Sequence, residues 1–309
     1  MKIAFLGTPK FAVPSLKILQ SSDHTVMGVV TVPDKPAGRG RQIHSSAIKE
    51  AALGYGMPVL QPENLRDETF IQELQSWNAD LFVVVAFRIL PEIVFQMPPQ
   101  GTFNLHASLL PKYRGAAPIN WALINGEKET GLTTFFIDKN IDTGEILLQR
   151  SLPIDADKTA GELHDALSIM GAELVLETVN DIAAGTLKPQ KQVGEVTLAP
   201  KLTKELGKID WTQSALKCHN LIRGLSPVPA SYTMFRGRRL KILRSRLCEA
   251  ESHAEAPGCI TAVGKNGPID VQTSDGLLSI LQVKPEGKKM MTAGEFIRGS
   301  RIDIGEKFD

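Results

Sequence analysis

The sequence contains few cysteines and no long hydrophobic run, and each shortage excludes a class of protein. Its three cysteines, Cys218, Cys248 and Cys259, are far apart and odd in number, so they form neither a metal-ligand motif nor a disulfide framework. The longest apolar run, Leu81–Phe87, is too short to span a bilayer. The segment Met1–Gly7 lacks a secretory pattern. These features predict a cytoplasmic protein without a bound metal or a membrane span.

The composition is that of an ordinary globular protein. The 309 residues are 42% hydrophobic and 22% charged, which allows a full hydrophobic core. A chain of this length favours two domains. Gly7-Thr8-Pro9 follows the first predicted strand but departs from the G-x-G-x-x-G fingerprint, so the sequence gives little support to a dinucleotide site.

The net charge of +1 conceals two regions of opposite sign. Residues 1–200 carry 17 Lys and Arg against 22 Asp and Glu, a net charge of −5. Residues 201–309 carry 18 against 12, a net charge of +6. A basic carboxyl-terminal third favours a polyanionic partner such as nucleic acid. A solvated lysine-rich face would give the same count, and charge alone leaves both interpretations open.

Strands and helices alternate along the first half of the chain. Strand patterns at Lys2–Leu6, His24–Val32 and Asp80–Phe87 are separated by helical segments. A long helix is predicted from about Thr159 to Ala184, and Thr159 with Glu162 three residues later predicts a capping box at its start. This order predicts an α/β fold with an open, mainly parallel sheet and crossover helices. In the last third, short strands separated by glycine turns predict a small β-barrel. The predicted boundaries are 1–188 for the α/β catalytic domain, 189–207 for a linker and 208–309 for the basic carboxyl-terminal domain.

Polar residues lie on the predicted strand Thr102–His106. Asn104 and His106 are two positions apart, so they point to the same face of a strand. The strand ends before Pro111, which cannot continue a hydrogen-bonded ladder. A turn that contains Asp142 lies further along the chain. An amide, an imidazole and a carboxylate that converge on one carbonyl carbon suit acyl transfer.

Each of these residues also has an ordinary structural interpretation. Asn104 and His106 can satisfy local hydrogen bonds, and Asp142 can form an Asx-turn. The segment Asp34–Gln42 is rich in Gly, Pro and positive charge, which predicts a loop. Its part Gly38–Arg41 can be a flexible surface excursion or a clamp for phosphates or unpaired bases, and nothing local decides between these. One predicted carboxyl-terminal hairpin concentrates basic residues that would form a stripe if they alternate, namely Arg236, Arg238, Arg239, Lys241, Arg244 and Arg246.

The combination of motifs is much more specific than its parts. The central motif is Asn104-x-His106-x-Ser108-Leu109-Leu110-Pro111-x-Tyr113-Arg114-Gly115, followed by Ile141-Asp142-Thr143-Gly144. Further motifs are Gly7-Thr8-Pro9-x-Phe11-Ala12, Pro33–Gly40, Arg114–Ile119, Ile209-Asp210-Trp211 and Pro285–Met290. Together they resemble the folate-dependent formyltransferase family, and the resemblance runs through the whole chain.

The resemblance implies both a fold and a reaction. The fold would be a Rossmann-like formyltransferase domain followed by a smaller OB-like β-barrel. The reaction would transfer the formyl group of the co-substrate 10-formyltetrahydrofolate to the α-amino group of methionine on initiator tRNA, without a metal. Asn104 would donate to the tetrahedral oxyanion and His106 would be a second donor. Asp142 would favour the protonated ring or accept the proton of the incoming ammonium.

The resemblance also implies binding roles. The residues implied for folate are Phe87, Leu90, Ser108, Leu109, Leu110 and Pro111. The residues implied for tRNA are Lys35, Arg39, Arg41, Arg236, Arg238 and Arg239. The segment Phe87–Pro91 is one residue shorter than is usual in the family, with Arg88 where glycine is common, and this bears on the pterin contacts. No interface pattern is evident, so we expect a monomer.

Other activities share parts of this pattern. A sugar-nucleotide N-formyltransferase would have the same catalytic core and can have a carboxyl-terminal barrel. A glycinamide ribonucleotide formyltransferase typically lacks a basic second domain, and a 10-formyltetrahydrofolate hydrolase would use water in place of the amine. An RNA-binding module on an inactive core would not need the three polar residues. The Gly-Arg-Gly-Arg loop and the basic last third favour tRNA, with the sugar nucleotide as the alternative substrate.

Overall fold

The computed structural model describes residues 1–37, 42–249, 255–264 and 267–309. The chain divides into two compact units. The first unit consists of Met1–Gly115, Thr130–Leu152 and His164–Leu198. The second unit consists of Ala116–Glu129, Pro153–Leu163 and Ala199–Asp309. Two segments that precede residue 164 therefore belong to the second unit. The boundaries predicted from the sequence divide the chain only once, at the linker, and they stay a prediction.

A largely parallel sheet forms the centre of the first unit. The strands up to residue 199 are β1 (Lys2–Gly7), β2 (Thr25–Val30), β3 (Lys35–Ala37), β4 (Gln42–His44), β5 (Val59–Leu60), β6 (Leu81–Val85), β7 (Thr102–His106), β8 (Arg114–Gly115), β9 (Glu129–Phe136), β10 (Ile146–Pro153) and β11 (Leu198–Ala199). Seven of them form one sheet in the order β10-β9-β7-β6-β1-β2-β5. Neighbouring strands are parallel along the part of the sheet β7-β6-β1-β2-β5. Strand β9 is antiparallel to β7. The predicted mainly parallel α/β sheet is confirmed.

Helices alternate with strands along the chain. They are α1 (Val13–Gln20), α2 (Ala47–Gly54), α3 (Glu68–Ser76), α4 (Glu92–Phe95), α5 (Pro118–Ile124), α6 (Ala160–Ala184), α7 (Ala215–Leu225) and α8 (Ala293–Ser300). The capping box predicted at the start of α6 is confirmed, because the N–H of Glu162 donates to Thr159 Oγ1 and the N–H of Thr159 donates to Glu162 Oε2. In the described part of the chain, no helix combines the length and apolar composition that crossing a membrane requires.

The middle of the sheet explains where a ligand site can form. Residues Ile3–Leu6 of β1 and Leu81–Val85 of β6 are almost completely buried, as expected for parallel strands covered on both faces. At the end of β1, a Cβ on Gly7 would lie 3.1 Å from the carbonyl oxygen of Val85, so this position favours glycine. The carboxyl ends of β1, β6 and β7 meet at one edge, and open α/β sheets bind their ligands at such an edge.

A short hairpin interrupts the segment that the sequence predicts as a loop at residues 34–42. Strands β3 and β4 pair antiparallel, with Lys35 opposite His44. The loop prediction was wrong at these positions, because three-residue strands leave no periodicity for a sequence pattern to detect. Arg39 and Arg41, predicted to contact tRNA, lie outside the described residues.

The second unit contains an antiparallel sheet. Its strands are β12 (Ser231–Phe235), β13 (Arg238–Leu247), β14 (Ile260–Val263), β15 (Ile269–Gln272), β16 (Leu277–Pro285) and β17 (Met291–Thr292). They follow the order β12-β13-β16-β15-β14, with β17 on β16. Alternate residues such as Leu240 and Ile242 enter a core to which Ile222 of α7 and Phe296 of α8 also contribute. The predicted smaller carboxyl-terminal β domain is confirmed.

The end of the chain covers both edges of this sheet. The backbone of Asp309 exchanges two 3.0 Å hydrogen bonds with Met234 of the edge strand β12. The backbone of Glu306 accepts from Ile260, the first residue of the other edge strand β14, at 2.8 Å. Phe308 is fully buried beside Trp211, with 5.8 Å between ring centroids. The tail thereby occupies backbone groups that an exposed edge strand would otherwise offer to other chains.

Candidate active site

Strand β7 presents two of the predicted catalytic side chains at the carboxyl edge of the first-unit sheet. Asn104 lies opposite Phe135 of β9 and His106 lies opposite Thr133, so the two side chains share a face. His106 is 6% exposed and Asn104 is half-buried. The side-chain amide of Asn104 makes no hydrogen bond to any described residue, which leaves its donors available to a ligand.

The surroundings of His106 assign its tautomer. Nε2 lies 2.8 Å from the carbonyl oxygen of Tyr113, an atom that only accepts, so Nε2 carries a hydrogen and donates it. In the neutral ring, Nδ1 then holds the lone pair and is the nitrogen that can take up a proton. The edge-to-face contact with Phe135, at 6.4 Å between centroids, fixes the ring from another side.

The structure brings Asp142 to the free nitrogen of this ring. Asp142 Oδ2 lies 3.8 Å from His106 Nδ1, and the same oxygen accepts the N–H of Gly115 at 2.8 Å. The distance to Nδ1 is too long for a direct hydrogen bond. It is short enough for one donor group to contact both atoms, or for the carboxylate to stabilise a protonated ring.

The turn that carries Asp142 has a demanding backbone. Asp142 has a φ of 55°, a left-handed conformation that a non-glycine residue rarely adopts. A Cβ on Gly144 would lie 1.6 Å from the carbonyl oxygen of Phe136, so glycine is required there. Thr143 Oγ1 donates to Asp138 Oδ1 at 2.6 Å across the turn. These features fix the carboxylate at the edge of the sheet.

The loop after β7 is held by side chains from the neighbouring strands. Ser108 Oγ donates to the carbonyl oxygen of Lys112 at 2.6 Å, which makes it a structural hydroxyl. Thr133 Oγ1 accepts from the N–H of Leu110 and donates to the carbonyl oxygen of Ser108. Gln149 Nε2 donates to the carbonyl oxygen of Leu110 at 2.9 Å. Leu110 is buried, and its neighbours Leu109 and Pro111 are half-buried.

A cleft of about 680 Å³ is lined by the other segment predicted to contact folate. Leu90 lines this cleft, is 6% exposed and belongs to a hydrophobic core of the first unit. Phe87 packs against that core but is not among the residues that line the cleft. Arg88 Nη1 and Nη2 donate to the carbonyl oxygens of Glu63 and Pro62, at 3.0 and 2.8 Å. Burial lowers the pKa of the Arg88 guanidinium below its ordinary value. Arg88 thus ties the segment Phe87–Pro91 to the wall of the cleft.

The base of the β3–β4 hairpin is held by a carboxylate. Asp34 Oδ2 accepts from Lys49 Nζ at 2.5 Å, and Asp34 Oδ1 accepts from Gln61 Nε2 at 2.9 Å. The hydrogen bond from Lys49 is the main reason that the pKa of Asp34 is lowered. Lys35, predicted to contact tRNA, is exposed next to this anchor.

The predicted tRNA-contacting arginines of the second unit differ in their partners. Arg236 donates to both carboxylate oxygens of Glu306 at 2.7 Å, and this contact raises the pKa of Arg236 and lowers that of Glu306. The Arg239 guanidinium lies 4.2 Å from the ring centroid of Tyr232 and is exposed. Arg238 is exposed. All three arginines are exposed, and Arg236 differs from the other two in its salt bridge to Glu306.

Two residues that touch the site were not anticipated. Gln192 and Thr197 lie in the segment predicted as a linker, and they hydrogen-bond to the backbone around Asp142 and Tyr113. The sequence gives no local signal for them, because their partners are about fifty or more positions away along the chain. Within the ranges that the structure describes, no three His, Cys, Asp or Glu side chains are grouped so that they could hold a metal ion.

Comparison with known proteins identifies the family. The family model for formyl transferase matches residues 1–179, and that for the formyl transferase C-terminal domain matches residues 201–301. The chain is 49% identical to the methionyl-tRNA formyltransferase of Thermodesulfovibrio yellowstonii over 304 residues, which cover 98% of this chain and 97% of the relative. It is 46% identical to the protein of the same name from Bacteroides thetaiotaomicron over 318 residues, which cover 100% of this chain and 98% of the relative.

A solved structure gives the same result for the fold. The sugar 3N-formyltransferase WlaRD superposes with a TM-score of 0.68 at 22% identity and covers 94% of this chain and 99% of its own. At that identity the likeness concerns the fold alone. The two family models and the full-length relatives together show that the chain belongs to the formyl transferase family.

Proposed function

We propose that the chain transfers the formyl group of 10-formyltetrahydrofolate to the amino group of methionyl-initiator tRNA, giving N-formylmethionyl-tRNA for translation initiation. The observation that carries this proposal is the 49% identity, over 98% of the chain, to a methionyl-tRNA formyltransferase. The placement of Asn104, His106 and Asp142 at one edge of the sheet supports it. The folate is a co-substrate, and the reaction as proposed uses no metal.

The proposed chemistry assigns one task to each side chain. The incoming ammonium must lose a proton before it can attack the formyl carbon, and the developing oxyanion must be stabilised. His106 Nδ1 and Asp142 Oδ2, 3.8 Å apart, form a pair of acceptors that one ammonium group can contact together. The amide of Asn104 donates to the oxyanion without changing its own charge.

Proton transfer through His106 then links the attack of the amine to the departure of the folate nitrogen. When Nδ1 takes up the proton of the amine, the imidazolium gains the neighbouring carboxylate as its partner while Nε2 stays bound to Tyr113. The protonated ring can donate to the oxyanion and then supply the proton that the leaving folate nitrogen needs. The attacking nitrogen loses a second proton as the amide forms, and this proton passes to solvent by way of the Asp142 carboxylate. No covalent intermediate with the protein is required, in keeping with the structural role of the Ser108 hydroxyl.

The folate donor is proposed to bind along the loop after β7 and in the cleft that Leu90 lines. The backbone of Ser108–Pro111 would contact the pterin and its linker, and Phe87 and Leu90 would form the apolar wall. A fold neighbour solved in the presence of 5-N-formyl-tetrahydrofolate supports a folate donor for this fold. Folate binding by these residues is testable without tRNA.

The tRNA is proposed to bind through exposed basic residues. The proposed contacts are Lys35, Arg39, Arg41, Arg236, Arg238 and Arg239. The net charge of +6 on residues 201–309 favours a polyanion. We further propose that the protein is a cytoplasmic monomer, with its catalytic domain at 1–188 and its tRNA-binding domain at 208–309.

A competition between acceptors tests the proposal. The protein is incubated with 10-formyltetrahydrofolate and either methionyl-initiator tRNA or a sugar-nucleotide amine, and formylated product is measured by mass. We expect formylation of the tRNA and none of the sugar. Formylation of the sugar but not of the tRNA would replace the proposal with a sugar-nucleotide N-formyltransferase, the alternative left by the sequence.

A further inference from the structure

The segment Gln190–Thr197, which we name the strap, contacts the loops that carry Asp142 and Tyr113. Its first residue pairs with the start of β10, since Gln190 and Ile146 exchange backbone hydrogen bonds of 2.7 and 2.9 Å. Between its contact points the strap is open to solvent, and Val193 is 85% exposed. Gln192 and Thr197 are half-buried. The polar contacts of these two side chains run to the catalytic loops of the same unit.

We propose that Gln192 and Thr197 are positioning residues that set the distance between His106 and Asp142. This inference rests on the proposed function, because it assigns to the strap a part in the same reaction. Neither residue touches the reacting atoms. Each acts through the backbone of a loop that carries or holds one catalytic side chain.

Gln192 uses both ends of its side-chain amide. Nε2 donates to the carbonyl oxygens of Asp142 and Gly144, both at 2.9 Å. Oε1 accepts from Arg114 Nη2 at 2.7 Å and Nε at 3.2 Å. The amide therefore clamps the turn of Asp142 on both sides of Thr143 and fixes it relative to the loop of Arg114. A left-handed residue such as Asp142 keeps its conformation when surrounding contacts hold it.

Thr197 holds the partner of His106. Its Oγ1 accepts from the N–H of Tyr113 at 2.9 Å, and its carbonyl oxygen accepts from the N–H of Arg114 at 2.9 Å. Tyr113 has a φ of 61° and receives the hydrogen of His106 Nε2 on its carbonyl oxygen. A shift of this loop would therefore rotate the imidazole and move Nδ1 relative to Asp142.

The strap thus fixes the positions of both His106 and Asp142 from a single segment. Displacements of about 1 Å in a catalytic group can cost about 10²-fold in rate. We expect Gln192→Ala to lower kcat for formylation about 10- to 100-fold and to leave KM for both substrates within a factor of about two. Thr197→Val, which removes only the hydroxyl acceptor, should produce a smaller loss of kcat.

Gln192→Glu separates the two ends of the side chain. The carboxylate keeps its acceptors for Arg114 but places an oxygen against the carbonyl oxygens of Asp142 and Gly144. If Gln192 served only to hold Arg114, the variant would retain full activity. We expect a loss of kcat at least as large as that of Gln192→Ala, with an unchanged thermal midpoint of unfolding as evidence that the protein is folded.

A double-mutant cycle decides whether Gln192 acts through Asp142. In the Asp142→Asn background, Gln192→Ala should change the rate by less than about threefold, because residues that act as a unit are not additive. The matched control is Gln213→Ala in the second unit, which bridges Asp210 and Lys217 with the two ends of its own amide. Equal losses in both backgrounds, or a normal kcat for Gln192→Ala and Gln192→Glu, would overturn the proposal.

A structural measurement keeps this test separate from the proposed function. A crystal structure of Gln192→Glu should show the Asp142 turn displaced and the distance from His106 Nδ1 to Asp142 Oδ2 longer than 3.8 Å. An unmoved turn would refute the positioning role, whatever substrate the protein formylates. Absence of methionyl-tRNA formylation by the unmodified protein would instead refute the proposed function and leave the structural result standing.

Discussion

The proposed catalytic centre and the basic hairpin of the second unit are built in opposite ways. At the centre, His106 is 6% exposed and its ring is fixed by Tyr113, while Asp142 is held by Gly115 and Gln192. On the hairpin β12–β13, Arg238 and Arg239 are exposed. Chemistry on a carbonyl depends on the position of each group, whereas attraction of a phosphate backbone depends mainly on charge. Substitutions in the two regions should therefore affect different kinetic constants.

The largest effect is expected at the imidazole. His106→Ala removes the group that takes up and returns the proton, so kcat should fall by about 10²- to 10⁴-fold while KM for tRNA is unchanged. Single-turnover formylation with saturating substrates measures this loss. The matched control is His164→Ala, because His164 lies 2.9 Å from Asp165 in the first unit but outside the site. An equal loss of kcat in His164→Ala would show that the effect of His106→Ala does not come from a catalytic role of the imidazole.

The second-largest loss of kcat is expected when the side-chain amide of Asn104 is replaced. Asn104→Asp keeps the shape of the side chain, removes its donors and adds a negative charge next to the oxyanion. We expect kcat to fall by about 10²- to 10³-fold, the usual value of one oxyanion donor, with folate affinity unchanged. Folate affinity is measured by equilibrium binding in the absence of tRNA. A normal kcat would leave the amide without a catalytic role.

Substitutions on the β12–β13 hairpin should change KM for tRNA and the salt dependence of tRNA binding. Arg239→Ala should raise KM for tRNA several-fold, leave kcat unchanged and reduce the slope of log K against log salt by about one for each lost phosphate contact. Arg150→Ala is the control, since Arg150 is bound by Glu173 and Glu177 on the first unit. An unchanged salt slope for Arg239→Ala would place the tRNA elsewhere.

The smallest effect is a pH dependence of stability in the second unit. His219 is 3% exposed between Ser245 and the carbonyl oxygen of Ala156, and burial lowers its pKa in spite of nearby Asp157. The unfolded chain therefore binds the proton more tightly than the folded one. The contribution of neutral His219 to the free energy of unfolding should be fully present above about pH 6.5 and should be lost as the pH falls below that value. Denaturant unfolding of His219→Gln should show a weaker decline over the same range, and an identical decline would assign the effect to other groups.

Local patterns in the sequence were enough to predict much of the fold. Strand β7, with Asn104 and His106 on one face, was predicted with its observed bounds because alternation and a following proline are local signals. The capping box of Thr159 and Glu162 was likewise readable from four consecutive positions. The apolar runs of β1 and β6 identified the buried centre of the sheet.

Long-range contacts could not be predicted in the same way. The hydrogen bond from Gln192 to Asp142 joins residues fifty positions apart, and the segment around Gln192 has no periodicity. The assignment of Ala116–Glu129 and Pro153–Leu163 to the second unit depends on three-dimensional packing and not on sequence order. The salt bridge of Arg236 with Glu306 likewise depends on how the tail folds back over the sheet.

The most direct measurement is the single-turnover rate of formyl transfer to methionyl-tRNA by Asp142→Asn with both substrates saturating. An asparagine at this position can still accept the N–H of Gly115, so the turn is kept while the carboxylate charge beside His106 Nδ1 is lost. We expect the rate to fall by about 10²- to 10⁴-fold. A rate close to that of the unmodified protein would show that the Asp142 carboxylate has no part in the reaction.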